Sequence, residues 1–339
     1  MTPRRLALAL TALAALVAAA AVAALFVGSA PVSPGAVLAV LTGRGPAQSV
    51  ERMVVLDLRL PRIAAAVIAG GALAVAGAGF QALTRNPLAE PSVLGVSSGA
   101  ALGAVIGQLF GLGGTIAEAL GLASFAFAGA VVAGIVVYLI ASRSGGLPVH
   151  SLLLAGVIVG IFFSAAITVL ISLVDVNRLG GVIHWLLGNL APLPPGSLAV
   201  FATATAVGAW LIVGRARQLN LLALGEEAAV QLGVDAGRLA RRVFAGAALL
   251  TGSAVAFVGP IGFVGLIVPH ALRMILGPDH RIVLPAAVLA GGGFLLAADT
   301  LARNLVAPAE LSVGVITAFC GAPFFVYLMR RQAAGASLP

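Results

Sequence analysis

Lysine is missing from all 339 residues, and each of the 19 basic side chains is arginine. A Walker phosphate loop needs its lysine, and so does a Schiff-base enzyme. The chain therefore cannot hydrolyse ATP by a P-loop mechanism, and any work it does draws on a partner or a gradient. Cysteine is nearly missing as well. Cys320 stands alone in an apolar run and makes no internal disulfide and no metal cluster. A small buried apolar role is expected for it. Charge is scarce, at 9% of residues against 61% hydrophobic, with mean hydropathy +1.14. A soluble domain carries about 25% charged residues. No water-facing surface can be built from this composition, so hydrocarbon is the solvent for most of the chain. Aromatics are few, at 6%, and the alternating segments of about ten residues that mark a porin-like barrel are not seen. The net charge of +8 does not point to nucleic acid. The arginines sit in short clusters between apolar runs, and no basic stripe interleaves with aromatics.

What is present is a series of apolar runs. A membrane-crossing helix needs about 20 apolar residues, within about 17–25. Candidate spans are 6–28, 63–83, 93–110, 115–141, 151–174, 196–214, 243–259, 261–276, 282–298 and 311–329. The first follows Arg4 and Arg5, and its apolar run from Leu6 to Val27 outlasts the about 7–15-residue core of a signal peptide. It is read as an uncleaved span. The eighth is bracketed by Gly259-Pro260 and Pro269, as in a broken helix beside a pathway. The expected fold is an all-α polytopic membrane bundle of about ten transmembrane helices in one domain, with both termini cytoplasmic. Most arginines then lie inside, as the positive-inside rule asks. Outside lie Arg44, Arg52, Arg59, Arg62, Arg178 and Arg303, and Arg59 and Arg62 in particular require a reason. Small residues recur at helix-face spacing, as in Gly70, Ala74 and Ala78 or Gly95, Gly99 and Gly103. Such spacing lets helix backbones approach closely in lipid. A faint echo links Ala69-Gly70-Gly71-Ala72-Leu73 with Ala245-Gly246-Ala247-Ala248-Leu249, on spans that run in opposite directions, as an inverted repeat would place them.

The longest inside connection runs from Arg215 to Arg242. Gly225 breaks the chain, Glu226 and Glu227 suit the positive end of a new helix, and Gly233 suits its stop. Two short helices within 219–236 follow. They either rest on lipid or dock a cytoplasmic partner; the acidic pair gains nothing from an anionic leaflet and tips the balance toward a partner. At Arg85-Asn86-Pro87, Pro87 cannot continue a helix and Asn86 caps the next turn. Ser97 and Ser98, in the small polar stretch from Gly95 to Gly99, either line a path or pack helices. His270 has no second ligand at metal spacing, and a structural or partner-contact role is expected for it. His184-Trp185 invites a haem-ligand role, although Trp185 is more simply an interfacial anchor. Asp175, Asn177 and Arg178 could cap a short helix at an outer mouth.

Several separate stretches resemble the FecCD/BtuC-type permease family of ABC importers for iron–siderophore, haem and cobalamin uptake. They are Arg59-Leu60-Pro61-Arg62, Gln81–Ala100 (QALTRNPLAEPSVLGVSSGA), the segment LNLLALGEEAAVQLGVD from Leu219, Gly259–Arg273 (GPIGFVGLIVPHALR), Asp299–Arg303, and Ala309–Phe325 (AELSVGVITAFCGAPFF). Together they span nearly the whole chain after the first run. The resemblance implies a BtuC-like bundle in a bacterial inner membrane, with a second permease copy, two cytoplasmic ATPase subunits and a periplasmic or lipid-anchored substrate-binding protein as partners. It implies no cofactor in this chain, ATP and magnesium belonging to the ATPase. By the same resemblance Arg59, Arg62 and Arg303 dock glutamates of the binding protein. Leu221, Leu224, Gly225, Glu226, Glu227, Gln231, Leu232 and Gly233 belong to the coupling helices, and Asn86, Ser97 and Ser98 are candidates for the pathway. For Arg59 and Arg62 the alternative is a headgroup anchor, and for Arg303 an i,i+4 pair with Asp299.

Two other function classes compete. A proton- or sodium-coupled transporter needs acids deep within spans, and Asp299 is the only late candidate. An intramembrane enzyme needs a nucleophile–base pair, and none stands out at helical spacing.

Overall fold

The computed structural model describes residues 3–336 except 29, 47, 112–115, 143–146, 174–175 and 308. Arg143 and Asp175, and the side chains of Arg4, Arg5, Asn177, Arg178 and Arg331, lie outside the described residues. Every element among the described residues is helical. In chain order they are α1 (Pro3–Phe26), α2 (Pro34–Leu41), α3 (Val50–Arg52), a π-helical stretch (Met53–Arg59), α4 (Leu60–Thr84), a 3-10 turn (Pro91–Leu94), α5 (Val96–Leu109), α6 (Ile116–Ala141), α7 (Val149–Leu173) and α8 (Val176–Leu186). Then come α9 (Pro195–Val213), α10 (Ala216–Leu222), α11 (Glu226–Gln231), α12 (Ala236–Val258), α13 (Val264–Leu276), α14 (His280–Asn304) and α15 (Val313–Ala336).

Seven helical runs are long and apolar enough to cross a membrane: Leu6–Phe26, Val50–Thr84, Gly121–Ala141, Val149–Leu173, Pro195–Val213, Ala236–Val258 and His280–Asn304. Three shorter apolar helices, Val96–Leu109, Val264–Leu276 and Val313–Tyr327, cover the remaining candidate stretches. The second long run starts at Val50 and not at 63, because the π-helical stretch carries it through Pro61. Pro61 has no N–H to give to a carbonyl four residues back. The wider turn suits this gap, since Leu60 N–H already reaches five residues back to the Val55 carbonyl. Arg59 and Arg62 therefore sit within a helix and not in a loop.

α4 is the axis of the bundle, buried along nearly its whole length, and α1 lies at the periphery. Between helices in lipid there is no hydrophobic drive, so association rests on close packing. The glycines provide it. A Cβ at Gly70 would stand 2.1 Å from the Gly291 carbonyl oxygen of α14, and one at Gly77 would stand 1.9 Å from that of Gly265 on α13. On the other side of the bundle, Gly99 and Gly103 of α5 meet Gly129 and Phe125 of α6 in the same way. The expected small-residue stripes are thus helix seams.

α5 and α13, of 14 and 13 residues, reach only about 20 Å at about 1.5 Å per residue, short of a hydrocarbon core of about 30 Å. Both begin inside the bundle behind a left-handed residue, Gly95 (φ 74°) and Phe263 (φ 69°). Gly95 packs on Gly156 of α7. Phe263, whose side chain makes this conformation costly, is held by its N–H donating to Glu90 Oε1 at 2.7 Å and by its ring lying over Gly321. Two residues of the sequence reading move. Cys320, expected in the core, is exposed on α15 beside the exposed Phe319, on a face that no other helix among the described residues covers. Trp185, read as an interfacial anchor, is partly buried against the core.

Candidate functional site

Two ends of the bundle concentrate the polar side chains. At the first, α4 and α14 bring Arg62, Asp299 and Arg303 together. Arg62 Nε donates to Asp299 Oδ1 at 3.0 Å, and its Nη1 donates to Glu310 Oε2 at 2.8 Å. Arg303 Nε lies 3.1 Å from Asp299 Oδ2 as an ion pair. Arg59 donates to the carbonyls of Leu25 and Ala30, which close the end of α1. The pairing expected within α14 is therefore real, but Arg62 joins it from 237 residues away. All three arginines are mostly buried, and the Asp299 side chain is fully so. They sit as one cluster around a cavity of about 120 Å³ lined also by Gly28, Pro192 and Glu310. Arg303 Nη2 has no hydrogen-bond partner among the described residues. Three guanidinium groups face two carboxylates here, so the cluster carries excess positive charge at the mouth of the bundle. The arginines are not splayed toward solvent; Asp299 and Glu310 hold Arg62, Asp299 holds Arg303, and the two carbonyls hold Arg59.

The second end is built by α10 and α11. Gly225 (φ 117°) separates the two helices and Gly233 (φ 84°) ends the second, as expected from their places in the sequence. Leu219, Leu222 and Ala229 are buried and anchor the pair, and Leu221 leans on the core. Leu224, Val230 and Leu232 point outward, at 68%, 55% and 59% exposure, around the exposed Glu226, Glu227 and Gln231. Val230 was not among the expected docking residues, although its place one helical turn from Glu226 makes it a neighbour. The pair is clamped to α14. Asn220 Nδ2 donates to Asp279 Oδ1 at 2.6 Å, and Asn220 Oδ1 accepts from the His280 N–H at 2.8 Å. Hydrogen bonds from Arg281 above all, with that of Asn220, hold the Asp279 carboxyl well below the usual carboxylate range. The clamp left no sequence signal, since its halves stand 59 and 60 residues apart.

The other expected residues fall between these ends. Asn86 is exposed and its Oδ1 accepts from the Leu88 N–H at 2.9 Å, capping the turn after Arg85. Ser97 and Ser98 are half-buried at the start of α5, with Ser98 Oγ against Gly160 of α7. His270 sits edge-on to Phe324 at 6.0 Å, joining α13 to α15. His184 lies 2.6 Å from Asn189 Nδ2. Gln81 bridges Gly265 and Arg273 inside the bundle. Among the described residues no group of three or more His, Cys, Asp or Glu is placed to hold a metal ion.

Residues 13–331 match the FecCD transport family. The chain is 43% identical over 282 residues to the cobalamin import system permease protein BtuC of Halobacterium salinarum, covering 83% of this chain and 74% of that one. It is 43% identical over 280 residues to the hemin transport system permease protein HmuU of Yersinia pestis, covering 82% and 83%. Among solved structures, a metal-chelate type ABC transporter in an inward-facing conformation superposes with a TM-score of 0.81 at 31% identity, over 96% of this chain and 99% of that one. The chain thus belongs to the FecCD transport family, and with it to the multi-pass membrane permeases of ABC importers.

Proposed function

We propose that two copies of this chain form the passage of an importer for a metal chelate, haem or cobalamin in a bacterial inner membrane, driven by two ATPase subunits and fed by a substrate-binding protein. The α10–α11 end is the ATPase dock and faces the cytoplasm; the arginine end receives the binding protein. The observation that carries this is the trio Leu224, Val230 and Leu232. Large apolar side chains stand exposed on a short helical pair that the Asn220–Asp279 clamp fixes to the bundle. A surface of that kind has a partner. ATP-driven closure of the ATPases then moves the pair as a lever, and the permease halves rock about the path between them. Asn86, Ser97 and Ser98 lie on the side of that path. At the other end, the excess guanidinium charge fits partner carboxylates, which set orientation and encounter rate.

The test is reconstitution in vesicles with the ATPase and binding protein from the neighbouring genes. Leu224→Ser with Val230→Ser is expected to abolish ATP-dependent uptake and ATPase co-purification while the permease stays folded. Uptake driven by a proton gradient with no nucleotide would instead favour a secondary transporter. Against that alternative, Asp299, the acid it requires, is tied to two arginines.

A further inference from the structure

Between α6 and α12 an open groove of about 450 Å³ faces away from the bundle. Its floor is made of Ala130 and Gly134 from α6 and Ala245 and Ala248 from α12. Val131 and Ile135 stand exposed on its wall, at 43% and 53%. One end carries Arg241, with Tyr138 stacked over Phe244 beside it.

Four observations fix what fits there. The groove runs from Arg241 to Leu249 along α12 and from Tyr138 to Phe127 along α6. At about 1.5 Å per residue this is roughly 12–16 Å, or one leaflet of a hydrocarbon core of about 30 Å. Second, its lining is apolar except at the end where α12 starts, five residues after Ala236. Third, Arg241 is exposed and makes no hydrogen bond or ion pair among the described residues, whereas the neighbouring Arg238 is already paired with Asp235. Fourth, Gly134 differs from the seam glycines. A Cβ at Gly99, Gly103 or Gly129 would strike a carbonyl oxygen at 2.5, 2.1 or 2.1 Å, but one at Gly134 meets nothing nearer than 3.9 Å. Helix packing does not require Gly134; its missing side chain keeps the groove open.

We propose that this groove holds one acyl chain of an anionic phospholipid whose phosphate is bound by Arg241. A guanidinium with no hydrogen bond or ion pair among the described residues, at the end of a leaflet-long apolar channel, matches a negatively charged headgroup above its own chain. Arg241 selects the charge, and the small residues admit the chain. The inference rests on the membrane fold alone and not on the import mechanism.

Native mass spectrometry of the full chain in detergent tests it, with 1-palmitoyl-2-oleoyl-phosphatidylglycerol and the matching phosphatidylcholine as probes. The wild type is expected to retain one phosphatidylglycerol about five- to tenfold more strongly than phosphatidylcholine, the scale of a single guanidinium–phosphate contact. Arg241→Gln should erase the preference between the two lipids. Gly134→Leu should lose the bound lipid, and so should Ala245→Leu, which sits at an exposed position and fills the groove from the opposite helix. Unaltered retention in both filled variants, with helicity intact by circular dichroism, overturns the proposal, as does equal retention of the two lipids by the wild type. An Ala245→Cys, Cys320→Ser variant that cross-links two copies would overturn it too, by placing a second chain over the groove.

Discussion

Gly77 has no room for a side chain, because the atom that would collide is the backbone carbonyl of Gly265 and cannot rotate away. Overpacking of this kind costs about 1–3 kcal/mol and sometimes more. Gly77→Ala is expected to lower the thermal transition in detergent by several degrees. Gly134→Ala, which meets open space, should leave it unchanged or raise it, because alanine is favoured over glycine in a helix by about 0.5–1 kcal/mol. The same contrast separates the two carboxylates of the arginine cluster. Asp299→Asn strips the buried counter-charge from Arg62 and Arg303 together, a loss of about 3–5 kcal/mol for a buried pair. Glu310 is a third exposed, so Glu310→Gln should cost under about 1 kcal/mol. Thermal unfolding of the two variants side by side checks the ranking. The sequence named Arg59, Arg62 and Arg303 through their motifs, and it placed them in one region. It turned them toward a partner's glutamates or lipid headgroups, with the Asp299 pair as the alternative for Arg303, and was silent on what else holds them within the chain. That depends on Glu310 and on the carbonyls of Leu25 and Ala30, and no local pattern ties these to the arginines.

At the scale of elements, the α10–α11 pair, the proposed lever, was legible as two short helices because glycine chemistry is local: Gly225 and Gly233 each take the positive φ that ends a helix. Its attachment was not legible, since Asn220 and Asp279 stand 59 residues apart with α12 and α13 between them in the chain. The attachment should be insensitive to physiological pH. The Asp279 carboxyl is depressed from its unfolded value of about 3.9. A depressed carboxylate contributes stability that is present above the unfolded pKa and is lost as pH falls through the folded one. Hydrogen-exchange protection of 216–235 is therefore expected to be flat from pH 5 to 8 and to fall only in strong acid. Asn220→Ala should lower protection at every pH. A protection step near pH 6 in the wild type would assign the clamp to another group. Within the lever, Ala229 is fully buried in a six-residue helix. Ala229→Gly, worth about 1 kcal/mol against the helix, should loosen the lever and lower the substrate moved per ATP without lowering ATPase binding. The π-helical stretch before Pro61 escaped the sequence for a different reason. A proline argues for a helix start, and only the widened turn behind it allows the helix to run on.

For the whole molecule, the apolar runs made the helices visible, and their glycines announced close seams without saying which helix meets which. The seam that joins the two ends runs between α4 and α14, one of the two most extensively packed pairs among the described residues. α14 begins at His280, in the lever clamp, and carries Asp299 and Arg303 near its far end. Its 25 residues span about 37 Å at about 1.5 Å per residue. α4 runs beside it from Arg62 to Gln81, locked at Gly70 and Gly291 by backbone contact. A rod of two interlocked helices thus connects the proposed binding-protein dock to the proposed ATPase dock. If both partners bias the same rod, linkage requires their effects to be equal: the factor by which the ATPase changes binding-protein affinity is the factor by which the binding protein changes ATPase affinity. Measuring both dissociation constants, each with and without the other partner, should give one coupling factor. Gly291→Ala, whose Cβ would stand 2.2 Å from the Gly70 carbonyl oxygen, splays the rod and should bring that factor toward one while each partner still binds alone. Gly35→Ala, in open space on α2, should leave it untouched. A coupling factor that survives Gly291→Ala at full size would mean that the two ends communicate by a route other than this seam.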